Sequence, residues 1–70
     1  MAAEPNWLRR FVTANLDLWE RGDGQGATVT DIAMAIGRSS QDVTAELELM
    51  EAEGLARRGD NRRWHPRGSR

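Results

Sequence analysis

Two short apolar segments joined by a very short gap limit most strongly how this chain can fold. They lie in "TDIAMAIGRSSQDVTAELELMEAEG", residues 30 to 54. Thr30 can cap a first helix and Gly37 can end it, while Ser39 can cap a second helix with Asp42 three residues later, in a position like that of a capping box. Gly54 is the next stop signal. We therefore expect two helices joined by a very tight turn.

Apolar spacing within these two helices predicts which residues face the core. Val29 and Met34 are placed as a hydrophobic staple at the start of the first helix. The inward positions are Ile32, Ala33 and Ile36 in the first helix and Val43, Leu47 and Met50 in the second. Leu49 lies off this second stripe.

An earlier helix of about four turns is predicted in "EPNWLRRFVTANLDLWERGDG", with Pro5 in its first turn and Gly22 as its stop. Its predicted apolar face is formed by Leu8, Phe11, Val12, Leu16 and Trp19. Trp7 and Leu18 fall toward the edges of that face, where they could widen it or contact a second subunit. A homodimer through this helix is therefore one expected partner.

The segment "LARRGDNRRWHP", residues 55 to 66, has the pattern of a two-stranded hairpin. Gly59, Asp60 and Asn61 readily adopt the positive φ angles of tight turns. Alternation predicts that Leu55 and Trp64 point inward while the arginines point to solvent. Trp64 is expected to anchor the hairpin in the core rather than to stack on a base.

Length and composition limit the chain to a small globular protein. Its 70 residues, 39% hydrophobic and 30% charged, suit one domain, predicted over residues 1–66 with a flexible basic tail at 67–70. No apolar run is long enough to span a bilayer and no signal peptide is evident, so a cytoplasmic location is expected. With no cysteine and one histidine, His65, we expect no metal, no cofactor and no catalysis.

The net charge of −1 conceals two blocks of opposite sign. Residues 39 to 53 contain five acids and no basic residue, whereas residues 54 to 70 contain six arginines against Asp60 alone. A basic hairpin favours phosphate and an acidic helix disfavours it, so the function depends on where these charges lie.

The order of elements is helix, a trace of strand, short helix, tight turn, longer helix and a hairpin with arginine on both arms. It resembles the winged helix-turn-helix family, which includes the MarR-like and related bacterial regulators. The resemblance covers about residues 5 to 66 and rests on "TVTDIAMAIGRSSQDVTAELELMEAEGLARRGDNRRW". It implies a mainly α fold of three helices with a wing of two or three strands.

This resemblance implies binding of double-stranded DNA, with the second helix of the motif in the major groove. The matching positions on that helix are Ser39, Ser40, Gln41, Thr44 and Ala45, with Arg38 just before it as a phosphate clamp. The wing arginines implied to follow the DNA backbone or minor groove are Arg57, Arg58, Arg62 and Arg63. Most acids fall on later turns of the helix, and Glu48 is the residue that fits this account worst.

A second interpretation is a protein-interaction module of the same fold, in which the acidic helix surface with Leu49, or the exposed part of the first helix, docks a basic partner. In the DNA reading the chain is a small transcriptional regulator or a phage-type accessory factor.

Overall fold

The computed structural model describes residues 6–67, which form three helices and a two-stranded antiparallel sheet. The elements are α1 (Asn6–Asp23), α2 (Val29–Ile36), α3 (Ser40–Ala52), β1 (Ala56–Arg58), a 3-10 turn (Asp60–Arg62) and β2 (Trp64–Pro66). The predicted class, mainly α with a small β-hairpin, is confirmed at this level. No helix of this part of the chain is long and apolar enough to cross a membrane.

Helix α1 passes through Gly22 and ends at Asp23, so the predicted stop at Gly22 is wrong. The left-handed residue that follows the helix is Gly24, with φ of 75°. Pro5, predicted for the first turn, lies outside the described residues.

Helix α2 begins two residues earlier than predicted, because its N-cap is Thr28 and not Thr30. The Thr28 hydroxyl accepts a hydrogen bond from the Asp31 backbone N–H at 3.0 Å, and the Asp31 carboxylate accepts one from the Thr28 N–H at 3.2 Å. These bonds form a complete capping box. Met34 is 79% exposed, so the expected staple with Val29 does not form.

The tight turn between α2 and α3 follows the prediction. Gly37 ends α2 in the left-handed conformation, with φ of 74°, and the Ser39 hydroxyl accepts a hydrogen bond from the Asp42 N–H at 3.2 Å. At the other end, Gly54 has φ of 79° and the Leu55 N–H donates to the Met50 carbonyl at 2.8 Å. This is the pattern with which glycine ends a helix.

The hairpin pairs Arg57 with His65 in the middle of its register. A third segment joins it at one point, where Ala27 and Trp64 exchange two backbone hydrogen bonds of 3.1 and 2.7 Å. Of the three turn residues predicted to have positive φ, only Asn61 does. Arg62, which was not predicted, also has a positive φ.

The strand faces differ from the prediction at one position. Trp64 is buried as expected, but Leu55 is 44% exposed and Ala56 takes the inward place at 1% exposure. β1 begins at Ala56, one residue after Leu55, and a shift of one residue exchanges the two faces of a strand. The Arg67 N–H donates to the Leu55 carbonyl at 3.1 Å, and residues 68–70 of the predicted tail lie outside the described residues.

One apolar core lies between the helices and the hairpin. Its buried members are Val12, Leu16, Ala27, Ile32, Ala33, Val43, Leu47, Met50, Ala56 and Trp64, and the half-buried side chains packed against them are Leu8, Trp19, Val29 and Ile36. Phe11 was predicted for this core, but it is 50% exposed. Helix α1 therefore carries more apolar surface than the core covers.

Candidate nucleic-acid interface

A groove of about 540 Å³ lies between α3, the start of α2 and the hairpin. It is lined by Thr28, Val29, Thr30, Thr44, Glu48, Arg58, Asn61, Arg62 and Trp64. Three of the residues predicted to contact DNA, Thr44, Arg58 and Arg62, are thus brought together on one face. Threonine hydroxyls and guanidinium groups are both suited to phosphate oxygens.

Two acids of the α3 segment are held by an arginine of α1. Arg9 Nε lies 2.6 Å from Glu46 Oε2, and Arg9 Nη1 lies 2.6 Å from Glu53 Oε1. The hydrogen bonds that Arg9 donates, first to Glu53 and then to Glu46, raise the pKa of Arg9. Both carboxylates therefore lie on the side of α3 that is turned toward α1, and their charge is partly neutralised there.

Two further acids are paired with arginines that the sequence assigned to DNA. Glu51 Oε1 lies 3.2 Å from Arg58 Nη2, and Asp42 Oδ2 lies 2.9 Å from Arg38 Nη2. Four of the five acids between residues 39 and 53 thus have an ion-pair partner inside the molecule. The fifth, Glu48, is exposed, lines the groove and has no ion pair with any residue in 6–67.

The hairpin arginines divide into two kinds. The Arg58 guanidinium lies 4.7 Å from the centre of the Trp64 ring, and Arg63 Nη1 donates to the Gly26 carbonyl at 3.2 Å. Both side chains therefore help to hold the hairpin on the core. Arg57 and Arg62 are exposed and form no ion pair with any described residue, so their charge is available to a ligand.

The residues at the N-terminal end of α3 are not among those that line the groove. Ser40 and Gln41 are exposed, while the Ser39 hydroxyl is used in capping. Arg38, predicted as a phosphate clamp, lies 5.0 Å from the Trp7 ring centre in addition to its ion pair with Asp42. Both contacts are exposed, and a phosphate would have to replace them.

A second depression, of about 610 Å³, lies on the hairpin and the loop before α2. Its lining residues are Gly24, Gln25, Arg57, Arg58, Gly59, Asp60, Asn61, Arg63 and His65. His65 Nδ1 lies 2.8 Å from Glu20 Oε1, and the histidine side chain is only 12% exposed. His65 thus connects β2 to α1. No group of three or more His, Asp or Glu side chains within residues 6–67 could hold a metal ion.

Sequence reasoning missed three polar residues of the groove: Thr28, Thr30 and Asn61. Thr30 was considered only as the cap of α2, Thr28 fell in the short extended stretch expected before that helix, and Asn61 was considered only as a turn residue. The local sequence does not indicate that these three residues lie close together, because the groove forms only when the Ala27–Trp64 pairing places the hairpin beside α2.

No protein-family model matches this chain, and no curated protein or solved structure is significantly similar to it. The function is therefore inferred from the geometry and charge of the groove and the hairpin.

Proposed function

We propose that this chain is a winged helix-turn-helix domain that binds double-stranded DNA. In this proposal α3 enters the major groove and the hairpin is the wing that follows the flanking backbone. The order of elements supports it, together with the Ala27–Trp64 bridge, which adds one residue of a third strand to the hairpin. The role is binding rather than catalysis, and the expected cytoplasmic location stays a prediction.

The observation that carries the proposal is the internal pairing of the α3 acids. Glu46 and Glu53 are bound by Arg9, and Glu51 is bound by Arg58. A helix that is acidic in sequence therefore presents mostly neutral groups outward. Gln41 and Ala45 are exposed and Thr44 is half-buried at the groove. An amide and a hydroxyl can bond to base edges or phosphates without charge repulsion.

Arg62, which lines the groove, and Arg57, which lines the second depression on the other face of the hairpin, supply the positive charge of the proposed interface. Each phosphate contact that releases counterions adds about 0.9 to the slope of log affinity against log salt concentration. Arg58 and Arg63 contribute mainly by holding the hairpin in place, since both have partners in the core or on α3. The proposal thus assigns the salt-sensitive affinity to two of the four hairpin arginines.

The test is a fluorescence-anisotropy titration of a labelled random-sequence duplex at several salt concentrations from about 50 to about 200 mM. We expect clear binding at low salt. Replacing Arg57 and Arg62 together by alanine should weaken it and reduce the salt slope by about 2. Arg21→Ala is the control for losing one positive charge outside the proposed interface. Arg21 is exposed on α1 and has no ion pair with a described residue. No binding at 50 mM salt, or an equal effect of Arg21→Ala, would exclude the proposed interface.

A protein-docking role is the second candidate, and the exposure of Leu49 on α3 favours it. Leu49 does not line the groove, so the two candidates use different sides of the helix. In the DNA proposal Leu49→Ser leaves duplex affinity unchanged and Thr44→Val weakens it. The opposite result would favour docking of a protein on α3.

A further inference from the structure

Helix α1 has a second apolar face, which we call the α1 stripe and define as Trp7, Phe11, Ala14 and Leu18. All four residues are exposed, Trp7 to 42% and Leu18 to 64%. The Trp7 and Phe11 rings are in edge contact, with centres 5.5 Å apart, so they share one side of the helix. Val12 and Leu16, which belong to the core, lie on the other side.

Spacing along the α1 stripe follows the pattern of a two-helix seam. Its members are separated by four, three and four residues, which is the alternation with which apolar positions meet in a coiled coil. A contiguous apolar stripe of this kind on a small protein marks an interaction surface. The periodicity indicates that the partner is itself a helix.

Charges beside the α1 stripe indicate that the partner helix is α1 of a second copy. Arg10 and Asp17 directly precede Phe11 and Leu18, so they lie on the same flank of the stripe. Neither forms an ion pair with any other residue between 6 and 67. When two such helices run antiparallel, like flanks meet, and Arg10 of each copy faces Asp17 of the other. In a parallel pair that flank would instead face Asn15 and Gly22, which carry no charge.

Side-chain sizes favour the same arrangement. An antiparallel pair centred between Phe11 and Ala14 places Trp7 opposite Leu18 of the second copy and Phe11 opposite Ala14. The largest groups thus meet smaller ones, which allows the layers to interdigitate. A parallel pair would place the two Trp7 rings in one layer and the two Ala14 methyl groups in another, which packs less evenly.

We propose that two copies of this chain associate through an antiparallel pair of α1 helices. This inference does not rest on DNA binding, because it uses neither α3 nor the hairpin; the Arg38 guanidinium, 5.0 Å from the centre of the Trp7 ring, is the contact that joins the stripe to the segment before α3. One helix from each chain forms a contact below the roughly 1,200 Å² typical of stable complexes, so we expect a dissociation constant on the order of 100 µM.

Sedimentation equilibrium up to about 1 mM protein tests the association against the monomer mass of 7.9 kDa. Phe11→Ser and Leu18→Ser should each raise the dissociation constant by about tenfold. Leu49→Ser is the matched control, since Leu49 is also exposed but lies on α3. Far-UV circular dichroism checks that the variants fold. A protein that remains monomeric at about 1 mM, or that responds equally to Leu49→Ser, overturns the proposal.

Charge reversal tests the orientation. Arg10→Asp places two acids opposite each other at each pair, and Asp17→Arg places two arginines there, so either variant alone should dimerise roughly fivefold more weakly at low salt. An equimolar mixture of the two variants restores both pairs and should associate as a heterodimer at least as well as the original chain. If the mixture associates no better than each variant alone, the antiparallel arrangement is wrong.

Discussion

At the scale of single residues, Gly26 is the position where the backbone tolerates least change. Its φ is +87°, and an added Cβ would lie 2.7 Å from the Trp64 carbonyl oxygen and 2.8 Å from His65 Cε1. The same Trp64 carbonyl accepts the hydrogen bond of the Ala27 N–H. A side chain at this position would therefore disturb the bridge that brings the hairpin to the start of α2.

Gly26→Ala should lower the free energy of unfolding by about 2–4 kcal/mol, since it adds a steric conflict to the cost of positive φ. Gly24→Ala is the matched control, because Gly24 has φ of +75° but nothing within 4 Å of its would-be Cβ. We expect this control to cost only about 1 kcal/mol. Urea unfolding of both variants measures the difference, and equal costs would mean that the close approach to Trp64 does not constrain the fold.

At the scale of elements, the sequence predicted which helices and strands exist better than where they end. α2 offered two threonines before Asp31, and Thr28 caps the helix because it lies three residues before that acid. Leu55 was placed inward on the assumption that the strand begins there, but alternation starts at Ala56. Phe11 was assigned to the core because periodicity alone does not separate two apolar faces of one helix.

Thr28→Ala should destabilise the protein by about 1 kcal/mol, because it removes the acceptor for the Asp31 N–H and breaks the capping box. Thr30→Ala removes the same hydroxyl from an exposed position without a cap bond, so we expect a change within about 0.5 kcal/mol. Thermal unfolding of the two variants measures the stability that each one loses and so shows which threonine caps α2. A larger loss for Thr30→Ala would show that α2 begins where the sequence alone suggested.

In the whole molecule, the acidic block of residues 39 to 53 is neutralised more by Arg9 and Arg38, which lie outside both charge blocks, than by the hairpin arginines. Arg9 reaches Glu46 and Glu53 across 37 and 44 residues, and Arg58 reaches Glu51 across seven. The sequence predicted that the arginines lie on the hairpin and that the first turn of α3 is polar. It could not predict these pairings, because ion pairs between distant segments depend on how the helices pack. The Glu53 and Glu46 carboxylates raise the pKa of Arg9 in the folded protein, so the stability that these contacts contribute is fully present below the ordinary pKa of an arginine and is constant across the neutral range.

Glu48 is then the acid that limits binding in the proposed interface. Glu48→Gln removes a negative charge from the groove and should raise affinity for a random duplex by roughly threefold to tenfold at low salt. Asp17→Asn, which changes the net charge equally on α1, should have a smaller effect. Anisotropy titrations of both variants give the comparison, and an equal gain would indicate that only net charge matters. A smaller gain on a particular sequence is expected if Glu48 accepts a hydrogen bond from cytosine there.

Mapping the surface that contacts a duplex is the decisive test of the proposed DNA interface. Backbone amide NMR spectra recorded during titration with a short duplex report which residues contact it. If the groove face binds DNA, the largest shifts occur in residues 39–48, which are the N-cap and first turns of α3, in residues 57–63 of the hairpin and at Thr28 and Thr30, while the α1 stripe is unaffected. Shifts concentrated on α1, or an unchanged spectrum at low salt, would contradict the assignment of the groove face to DNA.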